Sequence, residues 1–158
     1  KYFTLLRLPV TESWAFKLVL MGYSGLSMQF PKPGTGIGDS SRLYIDGMFN
    51  ARGWTSIYKK VRGKAMWSNI LELRMPLVPG VLALDFFGDM AVIKEEPNQL
   101  SDIKLSDFYG SMGPGIRFTI PQFPLRLLFA NTFRLNENKD IEWDKNWKFV
   151  LSFNITNK

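Results

Sequence analysis

Arg52 is the residue whose type and setting best fit a specific contact. It lies near the end of a long loop rich in Pro, Gly and Ser, and Gly53 and Trp54 follow it. A guanidinium binds a carboxylate through two parallel hydrogen bonds, and the next two strand-like runs carry Glu72 and Asp89. Gly53 permits a close backbone approach, and Trp54 can pack against a wall of strands. We predict that Arg52 anchors the loop, with about 1 kcal/mol from one pair in a hydrated interior; a solvated arginine is the alternative.

Other chemistry has little support in the sequence. The chain has no histidine and no cysteine, which removes the usual general base, the usual metal ligand and any thiolate. Asp85 and Asp89 share a strand face but lack a second acid–base element, which favours a structural ion pair over a hydrolase. The glycines Gly34, Gly36 and Gly38 are not followed by the Lys-Ser/Thr of a phosphate loop. We therefore predict no catalytic residue, no metal site and no cofactor.

The composition narrows the class of protein. Hydrophobic residues make up 46% of the 158 residues, aromatic residues 15% and charged residues 22%. No apolar run reaches the roughly 20 residues that a membrane-spanning helix needs. Membrane strands hide their apolar character by alternation, so a membrane β-barrel remains compatible. The net charge of +6 is spread along the chain, which argues against a nucleic-acid partner.

Period-two alternation predicts roughly seven strands, each near the length of about 9–11 residues that a tilted strand needs to cross a bilayer. The predicted strands are residues 1–8, 14–25, 64–75, 81–93, 108–120, 125–135 and 147–155. Their connections alternate between short and long. Up-and-down outer-membrane barrels have this pattern, with short periplasmic turns and longer external loops. It makes the segments about 29–58, 94–107 and 136–144 external.

The two strand faces differ in chemistry. Charged residues share one face with Ser, Thr and Gly, and large apolar residues occupy the other. The charged set is Lys17, Glu72, Arg74, Asp89, Arg117, Arg126, Arg134 and Lys148. Trp14, Trp67 and Trp147 fall near strand ends, where a membrane barrel carries an aromatic girdle. We predict an all-β, antiparallel up-and-down transmembrane β-barrel with the charged face toward the lumen; a soluble ligand-binding β-barrel is the alternative.

The loop that contains Arg52 resembles the re-entrant loop of the BamA family of outer-membrane protein assembly factors. That loop reads Arg-aromatic-aromatic, a Gly pair, then Val-Arg-Gly-aromatic. Here Arg42-Leu43-Tyr44, a single Gly47 and the run 51–54 (Ala-Arg-Gly-Trp) stand in those places, with Asp46 and Ala51 as departures. Arg52 and Gly53 keep the family pattern.

Later strands extend the resemblance along nearly the whole chain. NILELRMPL at 69–77 is similar to the family's Glu-x-Arg-x-Pro-Leu strand, which carries over Glu72 and Arg74. FFGDMAV at 86–92 is similar to its Phe-x-Asp-x-Gly strand, with Ala91 in place of Gly. The hairpin 113–130 matches the penultimate hairpin, although Leu128 stands at a usually acidic position. FVLSFNI resembles the terminal strand, although the chain continues to Lys158.

The resemblance implies a role without chemical catalysis. Family members insert β-barrel proteins into the outer membrane through a lateral gate between the first and last strands of a sixteen-stranded barrel. Residues 1–158 would be its C-terminal part, with the N-terminal strands and the POTRA domains outside this chain. The implied gate strand contains Trp147, Phe149, Leu151, Ser152, Phe153 and Ile155. Implied partners are unfolded outer-membrane protein clients, accessory lipoproteins of the BAM complex and outer-membrane lipid; a passive pore or a two-partner secretion channel is the alternative.

Overall fold

The chain forms an antiparallel sheet. The computed structural model describes the backbone of residues 2–11 and 14–153, and the side chains of residues 2–4 and 17–153. The strands are β1 (Tyr2–Thr11), β2 (Trp14–Met28), β3 (Leu43–Tyr44), β4 (Arg62–Gly63), β5 (Ala65–Val78), β6 (Leu82–Lys94), β7 (Tyr109–Phe118), β8 (Leu125–Leu135), β9 (Ile141–Trp143) and β10 (Lys148–Phe153). The main path runs β1-β2-β5-β6-β7-β8-β10, while β9 pairs with β8, and β3 with β4. This open sheet of seven successive strands confirms the predicted up-and-down topology.

Connections of two kinds lie at opposite ends of the sheet. Among the described connections, residues 79–81 and 119–124 link strands at one end, and the longer segments 29–64, 95–108 and 136–147 link them at the other. This arrangement matches the alternation predicted from the sequence. The long segments contain only 3-10 turns such as Pro97–Asp102 and short strands. No helix in the described part of the chain has the length and apolarity to cross a membrane.

Two strand ends predicted at prolines were wrong. β1 continues through Pro9 to Thr11, and its register with β2 shifts between these residues. β5 likewise continues through Pro76 to Val78, with a register shift between them. Proline lacks a backbone N–H, and edge strands and bulges tolerate that loss.

The predicted boundaries also change at the end with the long loops. β2 extends to Met28 because its last residues pair with the start of β5, where Met28 lies opposite Ala65. Within the predicted loop 136–144, β9 pairs with the end of β8, and the rings of Phe133 and Trp143 lie 4.8 Å apart. The last strand begins at Lys148 rather than at residue 147.

Charged and aromatic residues occupy opposite faces of the sheet, as the sequence predicted. Glu72, Asp89 and Arg117 are buried on one face, which we call the inner face. Phe86 and Phe129 are exposed on the other, the outer face. The inner face is covered by the loop 29–64, whose Ile45 and Ala51 pack against Met66 and Ala91 of the sheet. The sheet therefore buries its charges beneath a loop and exposes its aromatic side chains.

Candidate functional site

A turn in the loop 29–64 sets the direction of Arg52. The Oδ1 atom of Asp46 accepts hydrogen bonds from the backbone N–H groups of Met48, Phe49 and Asn50, at 2.8, 2.7 and 3.0 Å. One carboxylate oxygen therefore organises three successive backbone groups just before Arg52. The sequence indicated Asp46 only as a departure from the family pattern.

The backbone around Arg52 turns sharply. Gly47, Ala51 and Gly53 have positive φ angles of 72°, 46° and 97°. The Gly53 N–H donates to the Gly47 carbonyl at 2.8 Å, which closes the turn. Left-handed backbone is unfavourable for alanine, so the packing of the buried Ala51 methyl group must compensate for it.

Arg52 inserts its side chain between two acidic residues of the inner face. Its Nε and Nη2 atoms each lie 2.6 Å from an oxygen of Asp89, and its Nη1 atom lies 3.1 Å from Glu72 Oε2. The backbone N–H of Arg52 also donates to Asp89 at 3.0 Å. The structure therefore brings together the three residues that the sequence paired, with the bidentate contact at Asp89.

Arg52 is more enclosed than the sequence led us to expect. Only 2% of the residue is exposed, and its guanidinium lies 4.1 Å from the centre of the Phe87 ring. The expectation of a hydrated interior was wrong for this residue, because the loop itself covers the contact. Removing one partner of a buried pair costs about 3–5 kcal/mol, several times the value expected for a hydrated pair.

Gly53 and Trp54 fix the loop against the sheet beyond Arg52. A Cβ atom on Gly53 would lie 2.7 Å from the Cβ of Ala130, so the loop approaches β8 as closely as glycine allows. Trp54 Nε1 donates to the Gly110 carbonyl at 2.8 Å, and its ring meets the Tyr109 ring edge-on at 5.1 Å. Gly53 therefore makes the predicted close backbone approach, and Trp54 packs against the strands as predicted.

Glu72 is the centre of a larger ion network on the inner face. Besides Arg52 it contacts Arg74 at 2.7 Å, Arg117 at 2.6 Å, and Arg126. Asp85 adds a second carboxylate, 2.9 Å from Arg117, 3.3 Å from Arg126 and 3.4 Å from Arg74. The four arginines and three carboxylates Glu72, Asp85 and Asp89 carry a formal net charge of +1.

Asp85, Arg117 and Arg126 belong to the site although the predicted site omitted them. Arg117 and Arg126 face each other across β7 and β8, a like-charge pair that the carboxylates on β5 and β6 neutralise. Strand alternation had indicated that all three lie on the inner face. Their meeting depends on the register of four strands, which alternation alone does not give.

Leu128 occupies the position where the family pattern has an acidic residue. It is fully buried in a cluster with Phe87, Ala130 and Val150. Phe87 is also the ring beneath the Arg52 guanidinium. The apolar packing of Leu128 with Phe87 therefore supports the ion network at the position where the family pattern has a charged side chain.

The last described strand lies beside the loop. β10 pairs with β8, and within the described residues its other edge has no strand partner. Phe149, Leu151 and Phe153 are exposed on the outer face, Ser152 is buried on the inner face, and Trp147 precedes the strand with 58% of its surface exposed. Ile155, predicted to belong to this strand, lies outside the described residues.

Asp144 holds the segment that leads into β10. It accepts a hydrogen bond from the Asn146 backbone N–H at 2.9 Å and forms an ion pair with Lys148 at 3.0 Å. These contacts, the Asn146 bond first, keep the pKa of Asp144 below its ordinary value. The carboxylate is therefore charged at neutral pH and remains available to Lys148.

Comparison of the sequence with known proteins identifies a family for this chain. Residues 2–155 match the model of the Omp85 superfamily domain. The chain belongs to the Omp85 superfamily. A Treponema pallidum (strain Nichols) protein named "Putative outer membrane protein assembly factor" is 38% identical over 182 aligned positions, which cover 99% of this chain. No solved structure matches the chain.

The Omp85 match confirms the resemblance to the BamA family and the location in the bacterial outer membrane. The sheet is accordingly part of an outer-membrane β-barrel. This Omp85 chain spans 22% of the length of the curated relative that it matches.

Proposed function

We propose that the chain is the C-terminal part of an outer-membrane protein assembly factor that inserts β-barrel clients by strand addition at β10. The observation that carries the proposal is the buried contact of Arg52 with Asp89 and Glu72, which fixes the loop 29–64 beside the edge of β10 that has no partner strand among the described residues. The name of the relative from Treponema pallidum supports the broader role in assembly.

An unpaired strand edge in a membrane is unstable, and this favours strand addition. Its N–H and C=O groups find no water in the hydrocarbon region, so an incoming strand that pairs with them lowers the free energy. The same edge would allow a client to begin folding against the assembly factor. No reaction chemistry is needed, because backbone hydrogen bonds drive the step.

The loop lies close enough to influence this edge. A cavity of about 500 Å³ lies between the loop and β10, lined by Met48, Phe49 and Tyr58 on one side and by Phe149 and Leu151 on the other. A client strand paired with the edge of β10 would run beside the loop residues Met48, Phe49 and Tyr58. Unfolded outer-membrane proteins, accessory lipoproteins and outer-membrane lipid are the partners that this role requires.

Cysteine crosslinking in the full-length protein tests the proposal with a matched pair of positions. Leu151 on β10 lies directly opposite Leu127 on β8, and both face outward at the same depth. Leu151→Cys should form disulfides with cysteines in a client's terminal strand during assembly. Leu127→Cys should not, because β8 is already paired on both sides.

The result that would overturn the proposal is an assembly-competent Leu151→Cys protein that forms no client adducts above the Leu127→Cys level. Single-channel recording separates the role from that of a passive pore. An assembly factor with a fixed loop should conduct weakly and irregularly, whereas a passive pore should stay steadily open.

A further inference from the structure

The outer face contains a groove of about 750 Å³ in the half of the sheet nearest the long loops. Its floor arises from strand register. Leu71 on β5 lies between Gly22 on β2 and Gly88 on β6, and Gly88 is followed across the sheet by Met112 on β7. A Cβ atom on either glycine would meet no atom within 4 Å. Two missing side chains in one row therefore open the groove.

Aromatic residues close the groove toward the long loops. Trp67 and Phe108 meet with ring centres 5.9 Å apart, and Leu105 adds a third apolar side chain there. Trp67 is the third residue of β5, close to the strand end where interfacial tryptophans lie. The groove thus begins at the level of the membrane interface and runs toward the bilayer centre.

A polar group faces the groove just inside this aromatic rim. Trp67 Nε1 donates to Ser24 Oγ at 2.9 Å, and Ser24 Oγ donates to Asn69 Oδ1 at 2.7 Å. No described residue accepts a hydrogen bond from the amide nitrogen of Asn69. An unpaired donor is unfavourable next to hydrocarbon, so Asn69 lacks an acceptor that a lipid carbonyl would supply.

Basic residues lie above the rim. A second cavity, of about 510 Å³, shares Leu105 with the groove and is lined by Lys104, Lys139 and Glu137. These three side chains carry a formal net charge of +1. A phosphate on a lipid headgroup fits this charge, since basic clusters at a membrane surface attract anionic headgroups.

From these features we infer that the groove binds one acyl chain of an ester-linked lipid with a phosphate headgroup. The acyl chain of the lipid lies over Gly22 and Gly88. Its ester carbonyl accepts a hydrogen bond from the Asn69 amide nitrogen, and its phosphate lies near Lys104 and Lys139. The groove volume falls within the range of about 300–1,000 Å³ that is usual for small-molecule sites. This site is independent of the proposed assembly role, because it lies on the opposite face from Arg52.

Photolabelling of the full-length protein in neutral phosphatidylcholine vesicles tests the site. A trace of phosphatidic acid with a diazirine in its acyl chain is added, and labelled peptides are mapped by mass spectrometry. Labelling should concentrate on residues 67–71, 88–90 and 110–112, several-fold above the equally outward Phe129 and Phe149. Unlabelled phosphatidic acid should compete for these positions in a saturable manner.

Two sets of variants test the acyl-chain groove and the phosphate-binding lysines separately. Gly88→Phe should fill the groove and reduce labelling several-fold, whereas Leu84→Phe, also outward on β6, should leave it unchanged. Combined Lys104→Ala and Lys139→Ala should weaken labelling by phosphatidic acid but not by a diazirine diacylglycerol, which lacks the phosphate. Heat-modifiable gel migration verifies that each variant is folded.

Uniform, non-saturable labelling of all outward positions in the wild-type protein would mean ordinary surrounding lipid and would overturn the inference. Absence of lipid labelling at the groove in the folded wild-type protein would overturn it equally. The wild-type competition decides the question even where a variant fails to fold.

Discussion

The carboxylate of Asp89 accepts hydrogen bonds from the Nε–H and Nη2–H groups of Arg52, each at 2.6 Å, although 37 residues separate Arg52 from Asp89 in the sequence. The backbone N–H of Arg52 donates to the same carboxylate. Asp89 therefore holds both the side chain and the main chain of the loop. This double contact distinguishes the site from a surface ion pair, which fixes side chains alone.

Arg52→Glu should release the loop and impair outer-membrane protein assembly. The variant places a third carboxylate beside Asp89 and Glu72 in a site where breaking a buried pair costs about 3–5 kcal/mol. The level of folded outer-membrane proteins in cells measures assembly, and the rate of limited proteolysis within residues 29–64 measures loop release. Adding Asp89→Arg should partly restore both, because opposite charges then face each other again.

Arg42→Glu is the matched control for this experiment. Arg42 lies in the same loop and pairs at 3.0 Å with Glu95, whose side chain is largely exposed. Surface pairs of this kind contribute about 0–1 kcal/mol. Equal behaviour of Arg52→Glu and Arg42→Glu would refute an anchoring role for Arg52.

Glu72→Gln should destabilise the sheet as well as the loop. The substitution keeps the shape of the side chain but leaves four surrounding arginines with two carboxylates, so the formal charge of the network rises from +1 to +2. We expect a loss of about 3–5 kcal/mol, measured as a lower temperature for the heat-modifiable shift. Glu95→Gln is the control at an exposed ion pair, and a transition unchanged relative to it would show that Glu72 is dispensable.

Gly53→Ala should displace the loop from β8. Its φ of 97° is unfavourable for alanine, and the new methyl group would meet Ala130 at 2.7 Å. Backbone strain alone is about 1–3 kcal/mol. Gly34→Ala has similar strain, with a φ of 80°, but meets no atom within 4 Å. Faster proteolysis of the loop in Gly53→Ala than in Gly34→Ala would isolate the steric contact; identical rates would exclude it.

Asp46→Ala should loosen the turn that presents Arg52. The variant removes the acceptor of three backbone hydrogen bonds. By analogy with a helix N-cap, the expected loss is about 0.5–2 kcal/mol. Asp46→Asn retains an acceptor oxygen and should preserve most of the assembly activity. If both variants lose activity to the same extent, the charge of Asp46 and not its acceptor oxygen is what matters.

The sequence was sufficient for the seven strands of the main sheet path and their faces, but not for the short strands β3, β4 and β9. Alternation along β6 assigned Asp89 to the inner face and Phe86 to the outer face, and both assignments agree with the structure. The strand ends at Pro9 and Pro76 were wrong because a proline in an edge strand or bulge looks the same in sequence as a proline in a turn. Trp147 lies outside β10 for a comparable reason, since residues that flank a strand can continue its alternation.

The sequence by itself also identified Glu72 and Asp89 as candidate partners of the loop residue Arg52, because the residue type and the inner-face position of each carboxylate can be read from its own strand. Only the tertiary structure decided that Glu72 contacts four arginines, and that Gly22 and Gly88 flank Leu71 in one row. Both depend on register between strands distant in sequence. Register is set by pairing across the whole sheet, and a shift of one residue would reverse every face.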